Sequence, residues 1–251
     1  MSPRRFGTHP DLPDGRDREY LPALKVPLPR RVDLRPAFPP VYNQHSLNSC
    51  SAHAIGAALW FEERGLVAAD APGPSRLFIY YNERVREREV HHNAPVSLRD
   101  GYKTVASRGV CPEHMWPYRL ARYARKPPRR CYEAARGMRA LQYFRLHRNL
   151  KTMKACLAEG IPFALGVSVH KSFMSARVKH TGEVPMPRRG DHVLGGHAML
   201  IVGYHDASER FIVRNSWGRQ WGLGGYCMLP YEFALHPNLS WDFWMCSRVG
   251  R

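Results

Sequence analysis

At 251 residues the chain is longer than one minimal domain and shorter than two average ones. With 44% hydrophobic and 11% aromatic residues it can bury a sizeable core, which excludes a wholly disordered tail. Lys and Arg number 38 against 21 Asp and Glu, giving a net charge of +17, and only seven of the cations are Lys; an arginine-rich solvated surface accounts for this, and with no nucleic-acid motif beside it no nucleic-acid partner is expected.

Nine of the 21 prolines fall within residues 1–40, so this stretch reads as an extended lead-in that lies across another surface or stays loose. Order is expected from near Asn43. From Cys50 to Arg64, Ala54, Ile55, Ala58 and Leu59 recur at helical spacing, with Ser49 as N-cap and Gly65 as the stop. A second helix starts behind Pro74-Ser75 and runs through Leu77, Tyr80, Tyr81, Arg84 and Val85, and a third spans Ser97 to Arg108 and closes at Gly109. Beyond the basic loop Arg122 to Arg130, read as a solvated turn, a short helix covers Cys131 to Met138, and another runs from Leu150 to Glu159 between Asn149 and Gly160. Strands follow at Phe163–Val169, His197–Tyr204, Phe211–Asn215, Tyr226–Leu229 and Trp241–Cys246. Helices first and strands second predict an α+β protein with two lobes.

The most apolar stretch, 161–169, contains Pro162 and Gly166, so no membrane span is expected. Arg4 and Arg5 precede Gly, Thr, His, Pro and Asp residues rather than an apolar core, which argues against a secretory leader. The cysteines at 50, 111, 131, 156, 227 and 246 include no C-x-x-C pair, so a cysteine zinc site has no support and a reduced, cytoplasmic setting is expected.

Cys50 opens a mostly apolar helix, where exposed N–H groups and the macrodipole favour a thiolate. Taken alone it reads as an inert core thiol, and a partner base changes that. His197, in LGGHAMLIVGYH, is set at the start of a strand behind two glycines, a placement suited to proton transfer. Asn215, in FIVRNSWGRQWG, ends the next strand near the level of His197, where its amide can accept the imidazole N–H, and Trp217 can cover that bond. Gln44, on the loop feeding the helix, can join the Cys50 N–H in stabilising an oxyanion. Other pairs carry less. Cys111 with His114 reads as a structural turn, His91-His92 lacks a third ligand for a metal, His53 as a packed polar residue, and Arg99-Asp100 as a structural ion pair. His192 and His205 lack the Gly-Gly approach.

The runs VDLRPAFPPVYNQHSLNSCSAHA, LGGHAMLIVGYH and FIVRNSWGRQWGLGGY, in that order, resemble the papain-like cysteine peptidases, specifically their bacterial branch. The separation of 147 residues between Cys50 and His197 falls within the range of about 130–150 typical of that family, and SLRDGYKTVASRGVCPEHMWPY is similar to its middle portion. The resemblance covers about residues 31–247. It implies a two-lobe fold, with a helical lobe over about 43–140, a strand-rich, barrel-like lobe over about 141–251, and the active site in the cleft between. It also implies Cys50 as nucleophile, His197 as general base and acid, Asn215 as orienting residue and Gln44 as oxyanion donor, acting without metal or cofactor on a polypeptide substrate, in a monomer. Acyl transfer by the same triad and a catalytically weak binding module are the alternatives.

Departures from the family pattern are local. Leu47 replaces a cysteine of the usual disulfide, Asn48 a glycine near the substrate backbone, Ser51 the tryptophan after the nucleophile, and His45 a glycine beside Gln44. Gly196 stands where plant members carry Asp, and the substrate-binding glycine pair is not evident near residues 92–97. Asn48, Ser97, Ala198 and Trp217 are the candidate substrate contacts. Residues 1–30, which include DLPDGRD, are expected to form a short pro-segment over the cleft, with 31–251 as the peptidase domain.

Overall fold

The structure is a computed structural model that describes residues 7–23, 27–63, 73–137 and 142–247. Helices α1 (Cys50–Glu63), α2 (Arg76–Glu87), α3 (Leu98–Arg108) and α4 (Arg129–Ala135) precede α5 (Leu150–Ala158), α6 (Ala176–Thr181) and α7 (Tyr231–Leu235). Seven strands, β1 (Arg31–Asp33), β2 (Gln142–Arg145), β3 (Phe163–His170), β4 (Val193–His205), β5 (Arg210–Arg214), β6 (Tyr226–Pro230) and β7 (Ser240–Ser247), form one antiparallel sheet. Its order is β2-β7-β3-β4-β5-β6, with β1 added on β4. Among the described residues the path is open: β2 and β6 end it unjoined, so the barrel-like closure expected for the strand-rich lobe is not formed by them.

Local chemistry sets most helix ends. Ser75 accepts from Phe78 N, Ser97 from Asp100 N and Asn149 from Thr152 N, each capping an otherwise orphaned donor. Gly109 and Gly160 follow α3 and α5 with φ of 73° and 78°, a conformation that disfavours any side chain. Ser49 differs from expectation: its hydroxyl turns to Tyr118 Oη at 2.6 Å and to His53 Nδ1 at 3.4 Å. The proposed stop at Gly65 lies outside the described residues, and the helix expected over Cys131 to Met138 instead begins at Arg129, right behind Pro128, and ends at Ala135.

Helix α1 is apolar on nearly all sides and is accordingly buried nearly all round. It packs between α2, α3 and β4 in one core with Leu47, Phe78, Tyr102, Leu200 and Trp244. A second core on the opposite side of the sheet gathers Phe163, Leu165, Ile201, Phe211 and Val213. Side chains alternate between the two along β4, Leu200 and Val202 on one side and Met199 and Ile201 on the other, as strand geometry requires. Every residue of β3 is buried, as befits a central strand.

Order begins well before Asn43. β1 pairs with β4 at 203–205, and Leu34 N donates to Val202 O. Further upstream, Tyr20 N donates to Arg145 O and Arg145 N to Arg18 O, laying residues 18–20 along β2. Among the described residues no helix is long and apolar enough to cross a membrane.

Candidate active site

Cys50 is the first residue of α1 and is wholly buried, and the nearby backbone N–H groups of Ala198, Gly7 and Ser51 favour its thiolate. Ala198 follows His197 on β4, so the strand that carries the imidazole faces the helix start that carries the thiol. Asn215 sits just beyond β5, whose pairing with β4 matches Leu200 to Arg214. His197 Nε2 lies 2.8 Å from Asn215 Oδ1, and the same oxygen accepts from Ser216 N at 2.8 Å. A backbone N–H can only donate, so Oδ1 is the acceptor in both bonds and the neutral imidazole carries its proton on Nε2. That leaves Nδ1 as the basic nitrogen. Trp217 stacks on His197 with ring centroids 4.7 Å apart and 28° between planes, which screens the His–Asn bond from water.

Gln44 is fixed on three sides. Its N donates to Ser216 O (2.8 Å), its Oε1 accepts from Ser216 Oγ (2.5 Å), and its Nε2 donates to Leu47 O (2.8 Å). One Nε2 proton remains for another acceptor. Beside it, His45 adopts φ 52°, the left-handed conformation that explains why glycine suits this position; its ring is exposed and its N donates to Asn43 Oδ1.

The site is shut. Cys50 and His197 have no accessible surface, and Gln44 has 1%. Burial pushes the Cys50 thiol up to about 11, with Glu83 adding to the rise and the three amides opposing it. Residues 7 and 8 supply the cover: Val96 N donates to Gly7 O and Thr8 N to Gly196 O, both at 3.4 Å, and Thr8 Oγ1 donates to Val96 O at 2.8 Å. The chain thus spans from the segment before α3 to β4, beside His197.

Downstream, DLPDGRD is anchored by acids. Asp17 pairs with Arg99 and Arg145, the Asp17 and Arg99 side chains both under 10% exposed. Asp11 accepts from Arg99 N (3.1 Å) and Trp244 Nε1 (2.7 Å), while its own N donates to Asp242 Oδ2 (2.5 Å). Arg99 and Asp100 therefore do not form the ion pair expected from their adjacency: successive helical residues point apart, and Asp100 pairs with Arg86 instead.

Of the proposed substrate contacts, Ala198 favours the Cys50 thiolate through its N–H and Trp217 covers the imidazole. Ser97 uses its hydroxyl as the α3 cap and its N–H on Glu87, so the backbone of Val96 faces the groove in its place. Asn48 lines the groove but is held by Asn93, which receives its N–H at 2.8 Å and its Nδ2 at 2.6 Å. His53 is buried, donates from Nδ1 to Ser49 O at 2.9 Å, and is held well below its usual range by burial. His92 is exposed beside Glu89. Gly7, Thr8, Val96 and Asn93 escape sequence reasoning, because each acts through contacts far along the chain.

The sequence matches the model of the papain family cysteine protease over residues 87–234. An uncharacterised peptidase C1-like protein of Acanthamoeba polyphaga mimivirus is 39% identical over 215 residues, which is 82% of this chain and 69% of the relative. The crystal structure of xylellain, a cysteine protease from Xylella fastidiosa, is 38% identical and superposes with a TM-score of 0.93, covering 100% of this chain and 99% of its own. Procathepsin B S9 from Trypanosoma congolense, 14% identical, shares the fold with a TM-score of 0.75 over 98% of this chain and 87% of its own.

Proposed function

The chain belongs to the papain family of cysteine proteases and is a cysteine peptidase with the family's two-lobed α+β fold, and we propose that Cys50, His197 and Asn215 are its catalytic triad. The observation that carries this assignment is the 2.8 Å bond from His197 Nε2 to Asn215 Oδ1, which orients a basic Nδ1 on the strand facing a helix-terminal thiol. Proton transfer from the Cys50 thiol to Nδ1 gives a thiolate and an imidazolium that stabilise each other. The thiolate adds to a peptide carbonyl, whose oxygen takes the remaining Gln44 Nε2 proton and the Cys50 N–H as donors. Collapse breaks the C–N bond as His197 protonates the leaving amine. Water, deprotonated by His197, then hydrolyses the thioester and frees Cys50.

Residues 31–251 form the peptidase domain in this reading, and residues 1–30 act as an intramolecular inhibitor. Support for inhibition comes from the two-sided hydrogen bonding of Gly7 and Thr8, between the segment before α3 and β4, and from the absence of accessible surface on either reacting group. Covering the thiol also keeps it protonated, so the strap suppresses both access and ionisation. Mass-spectrometric profiling of a peptide library with the full chain tests the assignment: Cys50→Ala should abolish cleavage, a loss of at least about a thousandfold. Cleavage that survives Cys50→Ala would place the nucleophile elsewhere.

A further inference from the structure

A small cavity lies between α1 and the sheet, lined by His53 and Ala57 of the helix, Ala198 and Leu200 of β4, and Asn215, all of them buried. It leaves about 10 Å³ to the centre of a water-sized sphere, which is room for one water. Among the described residues, two side chains on its wall each have a buried atom without a protein partner, His53 Nε2 and Asn215 Nδ2. Their chemistry is opposite. Ser49 O can only accept, so His53 carries its proton on Nδ1, and Nε2 is an acceptor. Ser216 N fixes Asn215 Oδ1 as an acceptor, so Nδ2 is a donor with a proton to place. The His53 ring is held in this orientation from two directions, by the 2.9 Å bond to Ser49 O and by Tyr118, which meets it edge-on with centroids 4.9 Å apart. Burial keeps the ring neutral, which preserves Nε2 as an acceptor.

We propose that one water in this cavity accepts from Asn215 Nδ2 and donates to His53 Nε2, making His53 a positioning residue for the His197–Asn215 pair. One donor and one acceptor meet the least that a buried water needs, whereas a dry cavity leaves two buried polar atoms unmet. The bridge fixes the Asn215 amide at both ends, Oδ1 by His197 and Ser216 and Nδ2 through the water. It also ties that amide to α1, one turn beyond Cys50, so that nucleophile and orienting residue share one support. The positioning role rests on the peptidase reading above; the water itself does not.

A crystal structure of the full chain tests the bridge: one water should lie within hydrogen-bond distance of both atoms, and a dry cavity, or a water that touches neither, would overturn the proposal. Two variants test the role, each in an Asp17→Asn background to loosen the strap and each assayed on a peptide chosen from the library profile. His53→Phe keeps a ring and removes both nitrogens, while His53→Gln keeps a side-chain acceptor. His53→Phe should lower kcat by about tenfold or more and change KM by less than about twofold, and His53→Gln should retain most of the activity. The proton resonance of His197 Nε2–H, bonded to Asn215, should persist in His53→Gln and broaden or vanish in His53→Phe. An unchanged kcat in His53→Phe, or equal losses in both variants at matched melting temperature, would overturn the positioning role and leave the peptidase reading standing. If His53→Phe does not fold, the crystallographic water decides alone. No cleavage by the Asp17→Asn parent, with Cys50 also unlabelled by an epoxysuccinyl probe, would overturn the peptidase reading and the positioning role together.

Discussion

Glu83 is fully buried on α2 and accepts a 2.7 Å hydrogen bond from Ser51, the residue after the nucleophile. Burial pushes its carboxyl up to about 8 from an ordinary 4.5; Ser51 and Arg84 oppose the rise, and Glu87 and Asp100 add to it. The folded chain thus keeps a proton that the unfolded chain loses, so Glu83 makes stability fall as pH climbs from near 4.5 to about 8. Glu83→Gln keeps the acceptor for Ser51 and removes the titration. Its melting temperature should exceed that of the wild type at pH values above about 8, by the equivalent of a few kcal/mol, and converge with it toward about pH 5. A difference that does not vary with pH would show that Glu83 is not the titrating group. At this scale the sequence is informative where chemistry demands a residue type: Gln44, Cys50, His197 and Asn215 stand out by motif. Glu83, Asn93 and Gly7 do not, since a carboxylate beside a helix, an amide in a loop or a glycine in a proline-rich stretch acquires meaning only from partners brought close by folding.

Helices α2, α3 and α5 follow the sequence closely, because Ser75, Ser97 and Asn149 supply caps and, for α3 and α5, Gly109 and Gly160 supply stops. Asn149→Ala should cost about 1 kcal/mol, read from chemical denaturation with an unchanged slope; no loss would mean that Asn149 contributes nothing beyond its backbone. Elements made by pairing are less legible. β1 and β2 have three and four residues, too few for a periodic pattern, and both are recruited by long neighbours, β4 and β7. β4 itself begins at Val193 rather than at His197, because the glycine pair preceding His197 continues in register with β3.

Across the whole molecule, the segment over the cleft is held unevenly. His9 and Glu87 meet at 3.4 Å near the surface, and half-exposed pairs of this kind contribute no more than about 1 kcal/mol. Asp17 dominates: its pair with Arg99 lies out of water, while Arg145 adds a partly exposed second partner, and stripping one partner from a buried pair costs about 3–5 kcal/mol. Asp17→Asn should therefore release the strap and raise peptide cleavage severalfold. If cleavage is unchanged while proteolytic sensitivity of residues 7–17 increases, the strap is not inhibitory. The sequence places acids in DLPDGRD and a basic surplus elsewhere, but which arginines receive them depends on α3 and β2 meeting in space.

All six cysteines are free and buried, and the loop that delivers the nucleophile is stitched to residues 90–97 by the Asn48–Asn93 amides, at the place where Leu47 occupies a cystine position. Thiol peptidases need a reductant to keep the attacking sulfur competent, and the same reagent threatens any cystine that braces the neighbouring loop. Here the two demands are decoupled. Dithiothreitol can maintain Cys50 at any dose without loosening the scaffold beneath it.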